Sequence, residues 1–274
     1  MAILVESPVS TTQPIGELRS IAKLLTPLDF LAEGSPHFIS KSFGHFESAR
    51  RSYTLPRYVY LGPKGGGDTI RIGIFATIHG DEPEGALALT RFVTLLEKAR
   101  DIAQGYALFL YPVCNPTGFE DNSRTSRNGK DLNREFWQDS TEPEVKYLQS
   151  EIWTHAFHGI INLHSDDSTD GLYGFVNGAV LSQNLLEPAL REAEEFLPRS
   201  TETVIDGFPA NNGIISQTYH GVLRAVPGLK PPPFEITLET PRKAPLHRQV
   251  EAFAAALRTV LVEYRYLMAV AQNI

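Results

Sequence analysis

The chain holds one cysteine, Cys114, in 274 residues, so no internal disulfide can form, which suits a reducing compartment. It has no apolar stretch near the length that spans a bilayer. Its first residues, MAILVESPVSTTQPIGELRS, lack the basic start and sustained apolar core of a secretory signal, and a cytoplasmic protein is expected. No lysine or arginine run is present, and a net charge of −7 has the wrong sign for a nucleic-acid footprint. Lys64-Gly-Gly-Gly67 lacks the order of a phosphate-binding loop and precedes no helical pattern, so it is expected as a flexible turn between two strands. No repeat, low-complexity tract or interdomain linker interrupts the chain, and one domain over 1–274 is the simplest account. What is there is ordinary for a soluble globular protein: 42% hydrophobic and 21% charged residues, and enough length for a large core.

The apolar pattern alternates between strand and helix in the α/β manner. Strands are expected at Arg57–Leu61, Ile70–Ile78, Tyr106–Val113, Ile160–Leu163, Leu172–Val176 and Phe234–Leu238, with an edge strand at Thr201–Ile205. Helices are expected at 15–25, Glu84–Ala99, Pro143–Phe157 (Pro143 in the first turn), Leu185–Phe196 and Leu246–Ala269. Asn115–Lys130 reads as a long polar loop, and long loops in compact domains are often functional.

Between the strand ending near Ile78 and the helix that follows stands His79-Gly-Asp-Glu82, and Leu-His164-Ser follows far downstream. Two imidazoles and one carboxylate are a ligand set for catalytic zinc, which keeps a further position for water. A turn of two residues lets His79 and Glu82 converge on one ion, as they could not along one extended strand. His164, ending a distant strand, would complete the site where α/β folds gather ligands, at strand carboxyl ends.

A second block joins this one: Asn115-Pro-Thr-Gly-Phe119, then Arg124, then Asp131-Leu-Asn133-Arg134-Glu-Phe136. Taken with His79, Glu82 and His164, the chain resembles the zinc carboxypeptidase family, the metallopeptidases similar to carboxypeptidase A. The motifs come in that family's order, from His79 to about Glu239, leaving residues 1–56 outside the motif-bearing region. The resemblance implies a three-layer α/β/α fold around a mixed, mostly parallel twisted sheet. It implies one Zn²⁺ per chain on His79, Glu82 and His164, and hydrolysis of the C-terminal amide bond of a small peptide. Glu239 would be the general base, Arg124 would stabilise the oxyanion, and Asn133 and Arg134 would grip the substrate carboxylate. Tyr219 would close over the substrate, with Tyr173 as its rival. Succinylglutamate desuccinylase and aspartoacylase share the superfamily, so an amidohydrolase acting on N-acyl amino acids is the alternative. A catalytically silent peptide-binding relative is the alternative of another class.

Several neighbours need separate readings. Glu235 and Glu239 fall on one face of their strand, and Glu239 is preferred as the base because it sits at the carboxyl end, before Thr240-Pro241 breaks the strand. Glu235 is then a partner for a nearby basic group or a supporting carboxylate. Arg127 is the rival for either arginine role. Asp166 and Asp167 could orient the metal histidines or be solvated loop charges. His155 and His158 read as surface or capping residues, and Cys114 as a small buried hydrophobe at a strand end. Arg224, in the Tyr219–Val226 stretch, hints at an acidic substrate side chain or a second carboxylate, as in a cell-wall peptide.

Overall fold

A computed structural model describes residues 19–271; the first four positions of the helix expected at 15–25 lie outside them. Helix α1 (Ile21–Gly34) is followed by strands β1 (Phe38–Ser40), β2 (Phe43–Ser48), β3 (Arg51–Leu55), β4 (Tyr58–Leu61) and β5 (Ile70–Ala76). Then come α2 (Glu84–Lys98), β6 (Tyr106–Tyr111), α3 (Pro116–Asp121), α4 (Pro143–His155), β7 (Gly159–Asp166) and β8 (Tyr173–Val176). The chain closes with α5 (Ala179–Leu181), α6 (Glu187–Ala193), the short β9 (Val204–Ile205), β10 (Phe208–Pro209) and β11 (Ile214–Ile215), β12 (Phe234–Pro241) and α7 (Leu246–Ala271).

Eight strands form one mixed sheet in the order β1-β4-β6-β5-β7-β12-β8-β11, and its centre, β6-β5-β7-β12, is parallel. Alternation along the central strands decides which face each side chain serves. On β5, Ile72, Ile74 and Ala76 join a core under α1, α2, α6 and α7, while Phe75 joins a second core under α4 and the β2–β3 hairpin. Ile161 and Leu163 of β7 face the first core, and Ile160 the second. Buried on both faces, these strands read as continuous apolar runs, as central parallel strands should. The result is three layers. The connection from β5 through α2 leaves on one face, and the connection from β6 through α4 to β7 returns on the other. The crevice at the carboxyl ends of β5 and β7 is therefore a topological switch point, where open α/β sheets bind ligands.

The structure departs from the sequence reading at several elements. The polar stretch Asn115–Lys130 contains α3, because Asn115 caps it by accepting the Gly118 N–H at 2.8 Å and Pro116 starts it. The Gly-rich turn does not join neighbouring strands, since β6 lies between β4 and β5. The segment expected as an edge strand at Thr201–Ile205 contributes only β9, which pairs with β10 in a hairpin apart from the main sheet. The helix expected at Leu185–Phe196 is split: a wider π-type turn over Ser182–Leu186 links α5 to α6. Thr240-Pro241 does not break β12, which runs to Pro241. Beside Pro241 the β8 neighbour has already ended, and the β7 side takes the Arg242 N–H on the Asp166 carbonyl, so the missing proline N–H leaves no ladder bond unmade. No helix among the described residues is long and apolar enough to cross a membrane.

Candidate metal centre

The site begins where β5 stops. Thr77 takes a left-handed conformation at φ 53°, strained for a β-branched residue, and its hydroxyl donates to the Glu82 carbonyl at 3.2 Å. The turn closes with the Glu82 N–H on the His79 carbonyl at 3.2 Å, which sets both side chains on one side. Gly80 lies so close to Gly118 that a Cβ on Gly80 would collide with the Gly118 backbone, and a Cβ on Gly118 would meet the Asn115 side chain and the Thr125 carbonyl. Asn115 strengthens this junction, its amide donating to the Ile78 carbonyl at 3.2 Å. The Asn-Pro-Thr-Gly turn is thus the abutment of the metal loop.

His79 Nδ1 is 2.8 Å from Glu82 Oε1, His164 Nδ1 is 3.0 Å from Glu82 Oε2, and the two Nδ1 atoms are 3.2 Å apart. All three residues are buried, at 4%, 2% and 4% exposure for His79, Glu82 and His164. Each offers a ligand atom within 4.8 Å of the others, so the group can hold a metal ion. Two imidazole nitrogens turned toward each other and one shared carboxylate fit a divalent cation by donor chemistry and by charge. Burial opposes charge on Glu82, but the two histidines outweigh it and hold its carboxyl well below the usual range. Burial likewise lowers both histidines; on His79 the carboxylates of Glu82 and Asp131 reverse the direction, and on His164 burial wins.

Asp131, which sequence reasoning left without a role of its own, orients this centre. Its Oδ1 lies 3.2 Å from His79 Nε2, which turns Nδ1 toward the ligand cluster, and its Oδ2 takes Arg124 Nε at 3.2 Å and Nη2 at 3.1 Å. Its place in the Asp-Leu-Asn-Arg motif was the available signal. Asp166 does not touch the metal histidines. It accepts the Tyr173 hydroxyl at 2.6 Å and the Ser168 N–H at 2.9 Å.

Glu239 pairs in register with His164 across β12 and β7 and lines the cavity that opens on the ligand cluster. It is 9% exposed, and its Oε2 is buried without a hydrogen-bond partner. Burial first, then Glu82 and Asp166, push its carboxyl well above the usual range; a cation on the neighbouring ligands would pull it back. Glu235 lies elsewhere, accepting the Ala225 N–H at 2.7 Å and facing an adjoining cavity that Arg224 shares. Arg224 does not line the metal cavity.

Arg124, Asn133, Arg134 and Tyr219 line the same cavity. Arg124 reaches within 3.6 Å of Glu82 Oε1. Asn133 is committed to the protein: its Oδ1 accepts the Leu223 N–H at 2.8 Å, and its Nδ2 is 3.5 Å from His164 Nε2. Arg134 stacks over the Tyr219 ring at 4.2 Å. The Tyr219 hydroxyl donates to the Asp206 carbonyl at 3.0 Å. The rivals sort clearly. Arg127 is clamped on Asp121 by two bonds of 2.7 Å and on the Tyr53 hydroxyl, and Tyr173 is buried on Asp166. His155 pairs with Glu151, His158 accepts the Arg71 N–H, and Cys114 is buried, its thiol pushed far up by desolvation.

The chain matches the family model of the succinylglutamate desuccinylase/aspartoacylase catalytic domain over residues 68–199, which contain the His79–Glu82 turn and His164. No curated protein sequence matches it significantly. Among solved structures it is similar to a candidate metallopeptidase from Shewanella amazonensis, at TM-score 0.72 and 21% identity over 88% of this chain and 92% of that one. It is also similar to a metallo-carboxypeptidase from Burkholderia cenocepacia, at TM-score 0.68 and 16% identity over 91% and 70% of the two chains. Carboxypeptidase A from Helicoverpa armigera matches at TM-score 0.65 and 14% identity, over 93% and 75%. The chain thus shares the fold of these metallopeptidase and metallo-carboxypeptidase structures, and its segment 68–199 carries the family-model match.

Proposed function

We propose that the protein is a zinc-dependent carboxypeptidase that hydrolyses the amide bond next to a free carboxylate in a small peptide, with one zinc per chain. The observation that carries this is Glu239, a buried carboxylate with an unpartnered oxygen, in one cavity with His79, Glu82 and His164. A zinc ion on those three residues supplies Lewis acidity that makes a water ionisable near neutral pH. Glu239 takes the water proton and later returns it to the leaving amine. Arg124 donates to the carbonyl oxygen as charge develops there, held at its post by Asp131. Arg134 holds the substrate carboxylate through paired donors, with Tyr219 supporting its guanidinium by stacking. Asn133 acts on the substrate through position, tying the Leu223 segment to the floor of the cavity.

A second reading has its own support. The matching family model favours cleavage of an N-acyl amino acid by the same residues. Metal-loaded protein incubated with free-acid peptides, their C-terminal amides and N-acetyl or N-succinyl amino acids separates the two by product mass. The first reading expects amidation to cost at least about a hundredfold in rate, since the Arg134 donors lose an anionic partner. Equal cleavage of amides and acids overturns it, and turnover of N-acyl amino acids alone moves the assignment to the second.

A further inference from the structure

The cavity beside His79, Glu82 and His164 is lined by side chains of both charges. Arg124 and Arg134 line it, and so do Asp166 and Asp206. Arg124 leans on Asp131, and one Asp166 oxygen is taken by Tyr173 and Ser168. Arg134 and Asp206 are different: among the described residues neither forms an ion pair, although both flank Tyr219. Arg134 lies on the face of its ring and Asp206 at its hydroxyl end. Burial and the Asp206 carboxylate push that hydroxyl up to about 12. A rigid ring thus holds a cation and an anion apart in one small cavity.

Asp206 is placed rather than loose. It and Gly207, at φ 50° and 78°, form the two-residue turn between β9 and β10, a left-handed conformation that aspartate, asparagine and glycine accept. The hairpin is pinned by Phe208, whose ring is 4.7 Å from Tyr219 and 6.0 Å from Phe175. A second, independent acceptor lines the same cavity. Asn162 is 7% exposed and donates its Nδ2 to the Leu223 carbonyl at 3.0 Å, which fixes the other end as oxygen. That Oδ1 is buried with no donor. A buried acceptor without a donor asks for one from a ligand.

The geometry points to a zwitterionic substrate, its carboxylate on Arg134 and a cationic nitrogen group facing Asp206 across the cavity. This rests on the hydrolase reading above and narrows it to short peptides that carry a positive charge close to the C-terminal carboxylate. The charge has two possible sources, the free N-terminal ammonium of a dipeptide or a basic C-terminal side chain.

The test uses the full, metal-loaded chain and two matched pairs: dipeptides with free and acetylated N-termini, and peptides ending in lysine and in norleucine. In at least one pair the charged member is preferred by about fivefold or more in kcat/KM, carried by KM, and the preference shrinks as salt is raised. Asp206→Asn, which keeps the left-handed turn and removes only the charge, brings that ratio to within about twofold. Ratios below about twofold in both pairs overturn the proposal, as does a preference that Asp206→Asn leaves intact. If no peptide is cleaved, the hydrolase reading falls instead. Binding of the same pairs by calorimetry then decides the charge proposal, with the same ratios demanded of Kd.

Discussion

Glu235 and Glu239 show how far single residues could be read. Alternation places both on one face of β12, and position alone favoured Glu239; the structure sets Glu239 beside His164 and ties Glu235 to the Ala225 N–H. Glu239→Gln should therefore keep zinc and fold yet lose about a hundredfold or more in kcat, because the general base is gone and the ligands remain. Near-normal turnover, measured at saturating substrate, contradicts the assignment. The three candidate metal ligands were legible because their chemistry and order are specific, and the fold brings their ligand atoms within 4.8 Å of one another. Asp131 was not, since only the folded chain brings it against the far nitrogen of His79. Asn133, expected to bind substrate, lines the cavity, and its side chain also accepts the Leu223 N–H and lies 3.5 Å from His164 Nε2.

Elements followed a similar division. The central strands were legible because burial on both faces makes continuous apolar runs, and α7 because its stripe repeats over 26 residues. The β2–β3 hairpin was missed: its strands alternate weakly and mix histidine, serine and arginine with the apolar positions. Short β9 and β10 depend on packing around Tyr219 more than on their own sequence. The connection between loops matters most at Gly221, at φ 69°, where a Cβ would meet the Arg134 carbonyl. The Gly221 carbonyl accepts the Phe136 N–H at 2.9 Å, so this contact sets the height of Arg134. Gly221→Ala should cost about 1–3 kcal/mol in stability and raise KM for free-acid peptides several-fold, with metal content unchanged. A variant with wild-type KM and unfolding midpoint would show that the contact yields without consequence.

At the scale of the whole molecule, three layers bury the sheet, and the cost of that burial shows at Glu144. It is 2% exposed, hydrogen-bonded to Thr117 at 3.4 Å, and burial, with Glu142 nearby, pushes it up to about 7. Its pKa is raised on folding, so the stability it contributes is present below about 4.5 and lost as pH rises through about 7. Glu144→Gln should flatten that dependence, matching wild type at a pH below about 4.5 and melting several degrees higher at pH 8. Equal melting temperatures at both pH values would place the titration elsewhere. The whole molecule's proposed activity depends on one zinc held by His79, Glu82 and His164. Plasma mass spectrometry of purified protein, after chelation and after reloading, measures it directly. Purified protein should carry about one zinc per chain, removed by chelator, restored on reloading, and not restored in His79→Ala or His164→Ala variants that remain folded by circular dichroism. Native protein that carries no stoichiometric zinc and takes none up on reloading would contradict it.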